Sequence, residues 1–297
     1  ARAMISAIER TVKKEDRIAL SLIDSCTRSY FSAPMFWATI DIVALDMDTK
    51  VDVLLPEDRH HTEDLRGRKY PVLYVLHGTK EDNSSWLHLS NLFLLARDLD
   101  LIIVFPSAGI SSYVDEYYGQ DYYTYISQEL PVKLKNFLPI SDRREDTFIM
   151  GESMGGYRTW RIALANPDKY GKAIVFSHGD RSRHGGRYTH GATSPKMRMA
   201  LYGPEEHNLA SDNNLDNLVE KLKTYEGPKP EIYIYCGTED HLYEVCRSFY
   251  EHIKAECPDM KIEGEFTPGK HNFFYWNSKL PSALHHLGFE IEENSVV

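Results

Sequence analysis

Apolar positions along this chain follow two rhythms. Compact apolar blocks at Pro71 to Leu76, Leu101 to Phe105, Thr147 to Met150, Lys172 to Phe176 and Glu231 to Cys236, with a weaker one at Met260 to Phe266, read as parallel strands buried on both faces. Between them lie segments of helical pattern: Leu87 to Asp98, Thr124 to Phe137, Tyr157 to Ala165, Asn214 to Tyr225, Tyr243 to Glu256 and Phe274 to Leu287. Strands alternating with helices predict an α/β fold, a mostly parallel sheet of about eight strands flanked by helices. Upstream, Thr39 to Leu45 and Lys50 to Pro56 alternate in polarity, predicting two antiparallel strands joined near Met47-Asp48. The charged, amphipathic stretch from Ser6 to Ala33 reads as an N-terminal helical extension over residues 1–34, with the main domain at 35–297. Ala1-Arg2-Ala3 ahead of Met4 reads as a tag remnant.

One turn in this pattern carries chemistry. The block Thr147 to Met150 runs into Gly151-Glu152-Ser153-Met154-Gly155-Gly156, and a helical segment ending before Pro167 follows. A serine between a strand and a helix, flanked by glycines, has the form of a nucleophile elbow. Serine is a weak nucleophile and must be lifted out of the sheet to meet both base and substrate. The sharp turn brings Ser153 close to its neighbours, so small residues are needed at 151 and 155. The Met154 amide, at the first turn of the helix, can then face a developing oxyanion.

A serine of this kind needs a base oriented by a carboxylate, and in such folds the chain order is Ser, Asp or Glu, His. The strand Glu231 to Cys236 leads into Gly237-Thr238-Glu239-Asp240, and Met260 to Phe266 leads into Thr267-Pro268-Gly269-Lys270-His271. His271 is therefore the candidate base, and Asp240 the acid that holds its tautomer, with Glu239 as rival. His241 follows the wrong strand for the base, and His60 and His61 lie in a polar loop. The second oxyanion donor falls in His77-Gly78-Thr79, most simply the Thr79 amide, with the His77 ring bracing the loop.

Composition narrows the setting. The net charge of −10, from 34 basic and 44 acidic residues, argues against nucleic acid or an anionic membrane as partner. No apolar run approaches the ~20 residues that span a bilayer. Cys26, Cys236, Cys246 and Cys257 form no CxxC pair and no metal-type cluster. They read as reduced and structural, in keeping with a cytoplasmic protein. Neither metal nor organic cofactor is expected.

These residues together resemble a family. The chain is similar to the tributyrin-esterase and feruloyl-esterase-like branch of the esterase D family of α/β-hydrolases, with S-formylglutathione hydrolases and mycolyltransferases more distant. The resemblance runs from about Phe36 to Leu287. It rests on residues 71–78 with Asn83-Ser84-Ser85-Trp86, residues 118–124 and 147–157, Cys236 to Glu244, and His271 to Trp276. It implies the α/β-hydrolase fold and the triad Ser153, Asp240 and His271. The chain departs from the family at Thr79-Lys80-Glu81-Asp82, in its N-terminal extension, and at Ser177-His178-Gly179-Asp180.

Residues 178–204 fall where such folds carry a cap or lid. The basic run Arg181 to His190 reads either as a mobile lid steering a polar or acidic substrate or as a solvated loop. Trp86, Tyr243 and Trp276 leave strand ends on the catalytic edge, and with His178 they are the candidate substrate contacts. Large rings there would narrow the pocket, predicting short acyl groups from acetyl to butyryl. Tyr113, Tyr117, Tyr118, Tyr122 and Tyr123 suit either a pocket rim or helix packing. The expected activity is a serine carboxylesterase on a small-molecule ester, including acetylated or feruloylated carbohydrate. An S-formylglutathione-type thioesterase, an acyltransferase and a catalytically silent binding module are the alternatives. The N-terminal extension packs either on its own domain or on a neighbour's in a homo-oligomer.

Overall fold

The structure, a computed structural model, describes residues 18–22 (backbone only), 35–56, 67–179 and 194–291. Among the described residues nine strands form one sheet: β1 Ile18–Leu22, β2 Met35–Ile42, β3 Met47–Leu54, β4 Val72–Leu76, β5 Ile102–Pro106, β6 Thr147–Glu152, β7 Lys172–Phe176, β8 Glu231–Gly237 and β9 Ile262–Thr267. Their order is β1-β2-β3-β5-β4-β6-β7-β8-β9. β4 to β9 are parallel, and β1, β2 and β3 join antiparallel at one edge. The helices are α1 Ser85–Leu89, α2 Leu92–Ala96, and α3 through Tyr122–Thr124, the π-wound Tyr125–Glu129 and Leu130–Lys135. Then come α4 Met154–Ala165, α5 Pro195–Tyr202, α6 Glu205–Ala210, α7 Leu215–Lys223, α8 Tyr243–Glu256 and α9 Phe273–Leu287. No helix among the described residues is long and apolar enough to cross a membrane.

The apolar blocks are strands because both of their faces are buried. In β4, Val72, Tyr74 and Leu76 pack into one core with α3, α4 and α7, while Leu73 and Val75 pack into the other with α1, α2 and α9. β5 divides in the same way, Ile102 and Val104 to one side and Ile103 and Phe105 to the other. Period-two alternation is hidden in such strands, because every side chain is apolar.

Four expectations are corrected. Residues 18–22, read as helix, form β1 in register with β2, Ile18 opposite Ile40. Ile18, Leu20 and Leu22 recur at period two, and the open edge of β2 offers backbone groups that need partners. The rest of that extension lies outside the described residues. Residues 87–98 are two short helices, because the Ser90 hydroxyl takes the Trp86 carbonyl at 2.5 Å and receives the Leu92 amide at 3.2 Å. Within α3, Pro131 has no amide to give the Ser127 carbonyl, which accepts Lys169 Nζ at 3.4 Å instead, and the helix widens to a π turn. The cap region is partly helical: α5 begins at a Ser194 cap and is tied to the loop after β5 by Tyr117 N to Leu201 O and Tyr118 N to Ala200 O. The basic run 181–190 lies outside the described residues.

Candidate active site

Because β4, β6, β7, β8 and β9 are parallel, the segments that follow them share one edge of the sheet. Ser153 stands between β6 and α4 with φ 53° and ψ −113°, a left-handed conformation that a non-glycine residue adopts only under local constraint. Its amide donates to Phe176 O at 3.0 Å, which fixes the turn against the end of β7. A Cβ on Gly155 would strike the Leu76 carbonyl, and one on Gly151 would lie 2.6 Å from the Gly155 carbonyl carbon. Glycine at both sites lets α4 start against the end of β4, beside His77-Gly78-Thr79. The Met154 and Thr79 amides are thereby brought to neighbouring segments of one edge.

The loop after β4 is braced by His77, which is buried. The Ala108 amide donates to His77 Nε2 at 3.1 Å, so Nδ1 carries the proton and donates to Gly78 O at 2.8 Å. Burial lowers the pKa of this ring and keeps it neutral. Tyr113 OH donates to His77 O at 3.1 Å, and Trp86 Nε1 to Leu76 O at 3.3 Å. The bracing role read for His77 is the one its bonds describe.

Asp240 and His271 come from neighbouring strands. The loop after β9 crosses the end of β8, where Gly237 is so close to Gly269 that no side chain would fit. His271 Nδ1 then donates to Asp240 Oδ2 at 2.8 Å, and the Leu242 amide donates to Oδ1 at 2.8 Å. Burial alone would push this carboxyl up, but the His271 bond and charge, with the Leu242 and Ser177 bonds, outweigh it and hold it below the ordinary carboxylate range. Glu239, the rival acid, is exposed. His241 Nδ1 lies 3.5 Å from Asp240 Oδ1, and its ring meets His271 edge-on at 4.7 Å. The ligand atoms of Asp240, His241 and His271 fall within 4.8 Å of one another, but a cation there would have to replace the His271 bond.

Sequence reasoning missed Ser177. It is buried at the end of β7 with φ 46°, donates to Asp240, and receives Trp276 Nε1 at 3.0 Å. The non-family residues at 177–180 were the only signal. Trp276 is accordingly no pocket wall: it is 3% exposed and sets its ring edge-on to His271 at 5.1 Å. Trp86 is 1% exposed, wedged against Phe176 and Phe273. His178 is fully buried, with Nδ1 accepting Trp160 Nε1 at 3.3 Å and burial lowering its pKa to about 3. These three expected substrate contacts are packing residues. Of the four, Tyr243 alone keeps partial exposure, edge-on to Phe266. Among the tyrosines, Tyr113 is buried and Tyr123 lies under Arg161 at 3.7 Å, while Tyr118 is 71% exposed beside α5.

A strained serine and a hydrogen-bonded Asp–His pair on one edge of a parallel sheet agree with what the chain resembles. The model of the family described as "Putative esterase" matches residues 42–287. The chain belongs to this esterase family. An acetyl esterase of Caldicellulosiruptor saccharolyticus is 28% identical over 252 residues, covering 81% of this chain and 92% of that one. Bovine S-formylglutathione hydrolase is 24% identical, over 65% of this chain and 73% of its own. Among solved structures, the Staphylococcus aureus fluorophosphonate-binding serine hydrolase FphF superimposes with a TM-score of 0.78 at 24% identity, covering 87% of this chain and 99% of that one. The esterase has the α/β-hydrolase fold that it shares with this neighbour.

Proposed function

We propose that this esterase hydrolyses carboxylic esters of short alkyl acids, acetyl to butyryl, through an acyl-enzyme on Ser153. Ser153 Oγ attacks the carbonyl carbon while His271 Nε2 takes its proton, and Asp240 orients the ring and stabilises the imidazolium. The Met154 and Thr79 amides receive the oxyanion. Collapse breaks the ester bond and returns the proton to the leaving alcohol. Water then repeats the sequence, releasing the acid and restoring the serine. The observation that carries the reading is the 2.8 Å bond from His271 Nδ1 to Asp240 Oδ2 on the edge where Ser153 holds its left-handed turn.

The relative named acetyl esterase supports a short acyl group, while the two tryptophans first invoked for it pack inward and lend no support. The alcohol side is open to sugar or phenolic esters. Ser153→Ala should lower kcat on p-nitrophenyl acetate by at least about 10⁴-fold and abolish fluorophosphonate labelling. Retention of most activity by that variant would sink the mechanism. Similarity to S-formylglutathione hydrolase favours one second reading, a thioesterase using the same residues. Comparing kcat/KM on S-formylglutathione with that on acetyl esters separates the two.

A further inference from the structure

Glu152, the residue before Ser153, ends β6 with its side chain fully buried. Neither of its carboxyl oxygens accepts a hydrogen bond. They press on Gly78 instead: a Cβ there would lie 2.5 Å from Oε2 and 2.7 Å from Oε1. The Gly78 amide also donates to Glu81 Oε2 at 3.3 Å. Two carboxyl groups thus meet at the first residues of the loop assigned to the oxyanion.

The surroundings offer Glu152 little compensation beyond the approach of the Gly78 amide, which burial outweighs. From the loop after β4 come Glu81 and the neutral His77, whose ring nitrogens are both engaged. From the loop after β5 comes Tyr113, whose phenol bonds His77 O and is held protonated by burial. On α4, Arg158 gives Nη1 to Asn213 and Nη2 to Ser112 and Tyr202. No ion pair involves Glu152 among the described residues. A buried carboxyl with no cation beside it is costly as an anion, but as a neutral acid it can donate to a second carboxylate. Burial first, and then the Glu81 charge, push its pKa well above the ordinary range.

We propose that Glu152 and Glu81 form a one-proton carboxyl pair that positions the oxyanion loop, with Glu152 donating its proton to Glu81 while Glu81 receives the Gly78 amide. This rests on the reading of residues 77–79 as that loop. Losing the proton leaves two like charges beside Gly78, next to where negative charge develops in the transition state. Activity is then lost on the alkaline side through kcat rather than KM, since the substrate itself carries no charge there.

Infrared spectroscopy of the full chain tests the pair directly, because a neutral carboxylic acid absorbs apart from carboxylates. The expected result is a neutral-acid band at pH 7 that disappears in Glu152→Gln. In the wild type it is titrated away at the same midpoint as the alkaline fall in kcat on p-nitrophenyl acetate. Above that midpoint kcat should fall about tenfold per pH unit in the wild type, and Glu152→Gln, which carries one charge at every alkaline pH, should lose that limb. A band that is absent, or unchanged by Glu152→Gln, overturns the pair. A wild-type band that survives where kcat has fallen, or a variant with the wild-type alkaline limb, overturns its positioning role. If Glu152→Gln does not fold, the wild-type midpoints still decide. Failure of the wild type to label with a fluorophosphonate strikes the parent reading instead, whatever the infrared shows.

Discussion

Asp240→Asn should be more damaging than the loss of one charge suggests. Besides Ser177, Asp240 serves two donors on opposite oxygens, the Leu242 amide at Oδ1 and His271 Nδ1 at Oδ2, each at 2.8 Å. An asparagine has one acceptor oxygen, and the Leu242 amide is a fixed backbone donor that claims it. The Nδ2 amide then faces His271 Nδ1 and donates to it. The ring must hold its proton on Nε2, the nitrogen that has to receive the Ser153 proton, and the base is disabled in its resting tautomer. Loss of tautomer control of this kind lowers kcat by about 10⁴, or about 5 kcal/mol of transition-state stabilisation. Steady-state hydrolysis of p-nitrophenyl acetate at pH 7 measures it, with Glu239→Gln as a control expected within about threefold of wild type. The stability arm has a defined sign. The native pKa of Asp240 is depressed, so it contributes stability that is present above its unfolded pKa, near the ordinary 3.8, and lost as pH falls through the native value. Asp240→Asn should therefore be destabilised at pH 7, with the gap to wild type narrowing in acid. A variant retaining more than a tenth of wild-type kcat, or a gap that widens in acid, would refute this account.

Three shorter predictions follow from the same geometry. Gly155→Ala drives a methyl group into the Leu76 carbonyl, so the elbow must shift and kcat/KM should fall at least about 100-fold, a loss that conserved activity on p-nitrophenyl butyrate would contradict. His178 is neutral in the fold with its pKa lowered from 6.5 to about 3, so the unfolded state binds the extra proton between those values. Stability should fall by up to roughly 1.4 kcal/mol per pH unit as pH drops from 6.5 toward 3, and denaturation series on His178→Phe should show a flatter slope. Across p-nitrophenyl esters from acetate to octanoate, kcat/KM should peak by butyrate; a profile still rising at octanoate would remove the short-acyl proposal and leave Ser153 untouched.

The elements legible in the sequence were those whose signal is local. Blocks such as Val72 to Leu76 and Thr147 to Met150 are apolar throughout because both faces are covered, and Ser153 is marked by glycines that its own turn requires. Chain order was enough to choose Asp240 and His271, because parallel strands place every following loop on one edge. Strand β1 was misread because Lys13, Lys14, Glu15 and Asp16 sit just upstream and suggest an amphipathic helix. The short alternation at 18–22 gains meaning only beside β2.

The side chains misassigned around the site fail for a different reason. Trp86, Trp276 and His178 were placed correctly along the edge, but sequence position does not say which way a ring turns. Trp276 turns inward because its indole N–H finds Ser177 Oγ, and Ser177 is turned to receive it by a left-handed φ that no propensity assigns to serine. That bond makes the tryptophan a support for His271 through ring contact and for Asp240 through Ser177. The residues nearest the chemistry are thus held by a layer contributed by β7 and α9, distant in sequence. Glu152 belongs to the same class: inside the motif it is an unspecified position between Gly151 and Ser153, and only the approach of Gly78 and Glu81 from another strand gives its carboxyl something to do.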